Sequence, residues 1–160
     1  MDTSCQVVIR PARIRDLEVL VSLLEVLFCI EEDFIPNASR QLKALQLLLN
    51  DERSIVLVAE QGIRTIGMCS GQRVISTAEG GPAILVEDVV VDPDYRGIGI
   101  GGKLLESIFR WAEENSASRL QLLADRKNRA ALNFYEKTGW QETRLICLRK
   151  RKKRSGRRKI

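Results

Sequence analysis

A chain of 160 residues with 44% hydrophobic content is long enough to bury one core and too short for two domains of ordinary size. Its net charge of +5 has a single source: residues 149–160, "RKRKKRSGRRKI", hold nine of the 26 basic residues and no acid, leaving residues 1–148 with 17 basic against 21 acidic residues, a net of −4. The acidic body argues against a nucleic-acid-binding domain proper, and the apolar runs at 17–24 and 84–91 carry Glu or Asp and fall short of a membrane span, which argues against a transmembrane class.

The start of the chain has no secretory pattern, so the expectation is a soluble, cytoplasmic protein with no membrane partner. Cys5, Cys29, Cys69 and Cys147 are widely spaced, with no CxxC pair and no histidine, which speaks against a metal site or a disulfide framework. They are expected to be small buried apolar residues. The basic tail reads either as an electrostatic grip on nucleic acid or another acidic surface, or as a solvated terminus without a specific partner.

In chain order, residues 6–11 read as a strand. Asp16 is the expected N-cap of a helix that sets Leu17, Leu20, Leu24 and Phe28 on one face. "IEEDFIPN" interrupts it, and a second helix carries Leu42, Leu45, Leu48 and Leu49 to about Asn50. Residues 55–60 and 63–74 flank Gln61-Gly62 as an antiparallel hairpin, and the small, glycine-rich stretch 77–82 is a loop. Residues 83–91 form a strand that is apolar except at Glu87 and Asp88, as expected of a central strand covered on both faces. Strict alternation sets Glu87 with Val89 and Val91, and Asp88 on the opposite face.

The stretch "YRGIGIGGK" then leads into a helix marked by Leu104, Ile108, Trp111 and Ala112 and ending near Asn115. A short buried strand at 120–124, a helix at 128–137 closed by Gly139 at C′, and a final strand at 140–148 complete the pattern. The predicted class is α/β (α+β), a mixed sheet with helices on both faces, in one domain over residues 1–148 followed by the basic tail 149–160.

Glycines between a buried strand and a helix start let backbone N–H groups approach a ligand at the positive end of the helix dipole, which makes a cradle for phosphate. Gly97-Ile98-Gly99-Ile100-Gly101-Gly102 also satisfies the dinucleotide fingerprint G-x-G-x-x-G. One alternative is therefore a nucleotide-binding oxidoreductase with a Rossmann-type loop and Asp125 on the ribose. Against it stand the Asp-Pro-Asp-Tyr-Arg turn between strand and loop and the antiparallel hairpin upstream.

Two blocks in register resemble the GNAT N-acetyltransferase superfamily. Arg96, Gly99 and Gly101 meet the pyrophosphate motif Arg/Gln-x-x-Gly-x-Gly/Ala after "VEDVVVDPDYR", and "NRAALNFYEKTGW" is similar to the family's Asn-x-x-Ala-x-x-Phe-Tyr segment. Shorter pieces, "EDVVVDPDYRG" and "NFYEKTGW", also resemble glucosamine-6-phosphate N-acetyltransferases, but they belong to the cofactor-binding core.

The resemblance implies a mostly antiparallel sheet splayed at two central parallel strands, acetyl-coenzyme A as acyl donor, no metal, and direct attack by a primary amine in a ternary complex. Residues Arg96, Gly97, Ile98, Gly99, Ile100, Gly101 and Gly102 would hold the pyrophosphate, with Val89, Val90 and Val91 pairing with the pantetheine amides. Tyr135 would protonate the departing thiolate or only position the cofactor, unless it is a helix-face aromatic packed in the core. Asn128 would bond the pantetheine arm, cap its helix, or both. Arg126, Lys127 and Lys103 either meet the adenosine phosphates or are solvated charges.

With no histidine present, the base must be a carboxylate. Glu87, expected to be partly buried, either takes the amine proton, binds the amine without taking it, or is satisfied by a structural partner. Glu31, Glu32 and Asp33 fall where the family builds its acceptor pocket, which points to a cationic acceptor unless they form a plain solvated loop. Partners in view are a small-molecule or protein amine, and a second copy of the chain as a homodimer. A non-catalytic coenzyme-A-binding or nucleic-acid-associated module is the remaining alternative.

Overall fold

The computed structural model describes residues 6–31 and 33–151. Glu32, most of the basic tail and Cys5 lie outside the described residues. The chain runs β1 (Val7–Pro11), α1 (Leu17–Ile30), α2 (Ala38–Leu49), β2 (Ser54–Gln61), β3 (Arg64–Ser76), β4 (Gly81–Val91), α3 (Ile100–Glu114), β5 (Arg119–Leu122) and α4 (Arg129–Lys137). The five strands form one sheet in chain order, antiparallel from β1 to β4, with β5 parallel to β4.

Each face of the sheet has its own core, as expected of a central sheet covered twice. On one face Leu57, Ala59, Cys69, Ile84 and Val86 pack against Ile100, Leu104, Leu105 and Ile108 of α3, with Phe134 and Tyr135 of α4 at the margin. On the other, Val56, Val58, Met68 and Val90 meet Leu17, Leu20, Leu24 and Leu45 of α1 and α2. The i, i+3, i+4 spacing of these leucines puts them on one stripe of each helix, and burying each contributes about 1.5–3 kcal/mol.

β4 and β5 pair only briefly. Their pairing runs only from Ala83 opposite Arg119 to Val86 opposite Leu122, while β4 continues to Val91. The ladder stops where β5 ends, which leaves one edge of residues 87–91 without a β5 partner, and the parallel pair lies at the edge of the sheet instead of at its expected centre.

The entry into α1 is fixed by charge. Arg10 on β1 donates from Nη1 to Asp16 Oδ2 at 2.8 Å and from Nη2 to Asp16 Oδ1 at 2.9 Å, and its Nε reaches Glu60 Oε2 on β2 at 3.1 Å. The Arg13 N–H adds a bond to Asp16 Oδ2 at 2.7 Å. Asp16 precedes α1 as expected, but its carboxylate is taken by Arg10 and Arg13 and makes no cap bond to the helix. The side-chain bond to Arg10 holds the Asp16 carboxyl below the usual carboxylate range.

Three other expectations fail. Residues 140–148 form no strand: every residue from 141 to 151 is exposed, because β5 is a four-residue edge that offers this stretch no ladder. Cys69 is buried, but Cys29 and Cys147 are exposed. Leu42 stays 37% exposed on α2, where Leu45 alone is fully buried. Among the described residues, no helix is long and apolar enough to cross a membrane.

Candidate active site

The glycine loop is anchored at both ends. Asp92 accepts from the Asp94 N–H at 3.0 Å and caps the short turn Pro93–Tyr95, while Arg96 Nε donates to the Val91 carbonyl at 3.0 Å. Arg96 thus ties the loop to the end of β4. Gly99 then takes φ +84° as the N-cap of α3, a left-handed conformation that a side chain would strain.

The first helical bond, from the Lys103 N–H to the Gly99 carbonyl, is 3.1 Å long. The N–H groups of Ile100, Gly101 and Gly102 lie ahead of it and have no intrahelical acceptor. A Cβ at Gly97, Gly99 or Gly102 would meet nothing within 4 Å, so the outer side of the loop is open to a ligand. Gly101 differs: a Cβ there would come within 2.9 Å of the Phe134 ring. Its missing side chain lets α3 and α4 close on each other.

β4 is irregular where the charged pair falls. Ser70 pairs with Glu87 and Met68 with Val90, so Asp88 and Val89 together oppose Cys69 alone. This is a β-bulge, and Asp88 sits in it with φ +57°. The bulge breaks the expected parity. Val89 and Val91 pack toward α3, whereas Glu87 lies opposite Ser70 and accepts from Gln72 Nε2 at 3.1 Å. Asp88 reaches the same Ser70 instead of the opposite face: the Ser70 hydroxyl lies 3.1 Å from Asp88 Oδ2 and 3.3 Å from the Glu87 carbonyl. Glu87 is exposed, contrary to its expected partial burial. Burial, with the charges of Glu87 and Glu31 adding, pushes the Asp88 carboxyl up to about 6, against the pull of the Ser70 hydrogen bond.

Two further elements, the end of α1 and α4, bear on this stretch. Glu31 closes α1, and its carboxyl is raised first by burial and then by the charges of Asp125, Asp33 and Glu87, with Arg149 opposing. Tyr135 on α4 is half-buried beside Phe134 and Trp140, at ring distances of 5.3 and 6.0 Å. Burial, with the charge of Glu31 adding, pushes its phenol up to about 12. Asn128 caps α4 by accepting from the Ala131 N–H at 3.0 Å, which leaves its amide nitrogen without an acceptor among the described residues.

Of the residues singled out in the sequence, Glu31, Glu87 and Tyr135 are thus brought into one electrostatic neighbourhood. Asp88, Ser70 and Asp125 were missed as members of it. Two consecutive acids inside an otherwise apolar strand were the available signal for the bulge. The described part of the basic tail crosses the neighbouring loop: Arg149 Nη1 is 3.6 Å from Asp33 Oδ2 and stacks 4.9 Å from the Phe34 ring, and Arg151 donates to the Asp33 carbonyl at 3.0 Å. A separate concavity, lined by Ala12, Leu17, Gln46 and Leu49 among others, holds no carboxylate and shares no residue with this site. Among the described residues, no group of three His, Cys, Asp or Glu side chains could hold a metal ion. An antiparallel sheet with one parallel pair also removes the Rossmann alternative, which needs a doubly wound parallel sheet around its loop.

Comparison with known proteins agrees with this architecture. A model described as the acetyltransferase (GNAT) family matches residues 21–140. An uncharacterized N-acetyltransferase of Bacillus subtilis is 31% identical over 98 residues, 61% of this chain and 66% of its own length. Thialysine N-epsilon-acetyltransferase of Bos taurus is 36% identical over 62 residues, 39% of this chain and 36% of its own. The chain therefore spans less than two thirds of either relative. A transcriptional regulator from Bacillus halodurans superposes with a TM-score of 0.81 at 25% identity, over 91% of this chain and 99% of that one.

Proposed function

The chain belongs to the GNAT acetyltransferase family, and from that premise we propose that it transfers the acetyl group of acetyl-coenzyme A to a primary amine of a cationic acceptor. The observation that carries the proposal is the open glycine loop at the start of α3 beside the end of β4 that runs past β5. Acetyl-coenzyme A, when bound, supplies the activated acyl group. The rest falls to the chain.

Backbone N–H groups of residues 97–102 meet the pyrophosphate at the positive end of α3, and Arg96 holds the loop in place for them while adding its charge. The β4 edge beyond β5, at Val89, Val90 and Val91, offers backbone groups to the pantetheine amides as a neighbouring strand would. Asn128 has an unused amide donor for the same arm. Glu31 and Glu87, with Asp125 nearby, attract and orient an ammonium group, and a β4 carboxylate takes its proton.

Tyr135 stays protonated at neutral pH with its phenol near 12. A thiol titrates at about 8.5, so full proton transfer from Tyr135 to the departing sulfur is uphill. Its hydroxyl acts mainly as a hydrogen-bond donor to that sulfur. The acceptor class rests on the surrounding acids, and it agrees with a relative whose name gives the ε-nitrogen of thialysine as the acceptor.

The test is isothermal titration with acetyl-coenzyme A, followed by release of coenzyme A in the presence of lysine, a linear polyamine or an aminoglycoside. Gly99→Glu, which puts a side chain at φ +84° and a negative charge among the phosphates, is expected to weaken acetyl-coenzyme A binding about 100-fold or more. No binding by the unaltered chain refutes the reading.

A further inference from the structure

We propose that Asp88, held in the β4 bulge by Ser70, takes the proton from the acceptor amine, and that Glu87 beside it binds that amine without taking the proton. The assignment rests on the acetyltransferase reading and names the base within it.

The first argument is position. The ladder to β5 ends at Val86, and the ladder to β3 is broken opposite Cys69. Asp88 lies where both interruptions meet, so it sits at the β4 edge that β5 leaves free. A regular strand would point residues 87 and 88 to opposite faces; the bulge gathers both acids over Ser70.

The second argument is compensation. Asp88 takes part in none of the ion pairs formed among the described residues. Its one side-chain hydrogen-bond partner among the described residues, Ser70, has a single hydroxyl hydrogen and two acceptors to serve, Asp88 Oδ2 and the Glu87 carbonyl. A half-buried carboxylate left this far unsatisfied is a good proton acceptor. Glu87 is exposed and already held by Gln72, which suits it to gripping an ammonium group.

The third is the charge around it. The groups that face Asp88 are Glu87 on its own strand, Ser70 and Cys69 on β3, and Glu31 at the end of α1, with no cation among them. They leave its carboxyl near 6, ionised at neutral pH yet far more basic than an ordinary aspartate. In the step itself, the proton passes from nitrogen to a carboxylate oxygen of Asp88. The freed nitrogen pair forms the bond to the acyl carbon, the carbon–sulfur bond breaks with its electron pair staying on sulfur beside the Tyr135 hydroxyl, and the second proton that the nitrogen then sheds goes to that sulfur, which leaves as the coenzyme thiol.

The experiment follows kcat/KM against pH for the full chain with acetyl-coenzyme A and whichever of lysine, a linear polyamine or an aminoglycoside it accepts. Asp88→Asn keeps the shape, and Asn tolerates a positive φ, so the variant should fold. The unaltered enzyme should lose activity on the acid side with a midpoint near 6. Asp88→Asn should lose about 10²- to 10⁴-fold and show no such limb, with its affinity for acetyl-coenzyme A within about twofold of the original. Glu87→Gln should raise KM for the amine and keep the limb, and Ser70→Ala should move the limb to higher pH.

A second readout needs no substrate. The melting temperature of the unliganded chain should carry a pH-dependent slope between about pH 4 and 6 that Asp88→Asn reduces, the remainder belonging to the raised carboxyl of Glu31. The assignment is overturned if the limb survives Asp88→Asn or the melting slope is undiminished by it, if Glu87→Gln abolishes the limb instead, or if Ser70→Ala leaves it in place. Should the unaltered chain release no coenzyme A with any of the amines, the acetyl-transfer reading itself fails and takes this assignment with it.

Discussion

Asp16, in the turn before α1, and Asp88, in the β4 bulge, are two aspartates drawn against one sheet, the first buried and the second half-buried, and they are treated in opposite ways. Asp16, 5% exposed, receives two hydrogen bonds from the Arg10 guanidinium and one from the Arg13 backbone. Asp88 receives at most one, from Ser70. The same side chain is therefore driven below its ordinary range at one place and up to about 6 at the other. The difference separates two uses of a carboxylate held against a core: the neutralised one fixes how β1, β2 and α1 meet, and the other stays able to exchange a proton.

Removing the compensating cation should have the largest effect. Arg10→Ala leaves Asp16 buried without its counter-charge and is expected to destabilise the chain by about 3 kcal/mol in a denaturant melt. An effect below about 1 kcal/mol would put Asp16 in the same position as Asp88 and erase the contrast.

Next in size, and opposite in sign, is Asp88→Asn. A shift from 3.8 to about 6 corresponds to at most about 3 kcal/mol that the ionised Asp88 takes from stability at neutral pH. The variant should therefore be more stable at pH 7 while losing turnover. Because the native state holds the Asp88 proton more tightly than the unfolded chain, its contribution is most favourable below about 3.8 and declines as pH rises to about 6. Asp16 behaves in reverse, stabilising fully above 3.8 and losing that contribution as pH falls through its lowered native value. Melts from pH 7 downward should thus show a gain from Asp88 before the loss from Asp16. The smallest change is Ser70→Ala, about 1 kcal/mol or less for one neutral hydroxyl.

The helices and the hairpin were legible because their signals are local. Leucines at helical spacing located α1 and α2, Gly62 with φ +62° marked the β2–β3 turn, and Asn128 and Gly139 framed α4 at its two ends. The splay was expected only through family resemblance. The bulge was not legible, since alternation presumes an unbroken register and a single inserted residue reverses it for everything downstream. That is why Glu87 was paired with the wrong valines and Asp88 was sent to the wrong face. The stretch 140–148 failed for the complementary reason: its apolar residues at Leu145, Ile146 and Leu148 suit a strand, but no edge pairs with them and they remain exposed.

The contact between Gly101 and Phe134 has a consequence for how this molecule can change. Phe134 precedes Tyr135 and leans on it at 5.3 Å, so a methyl group at position 101 would shove the first ring and drag the second with it. Donor grip and phenol are therefore interlocking parts, cut to one another's shape though remote along the chain. A bulkier residue at 101 becomes admissible only when 134 shrinks in the same lineage, and a designer wishing to retune one must machine both.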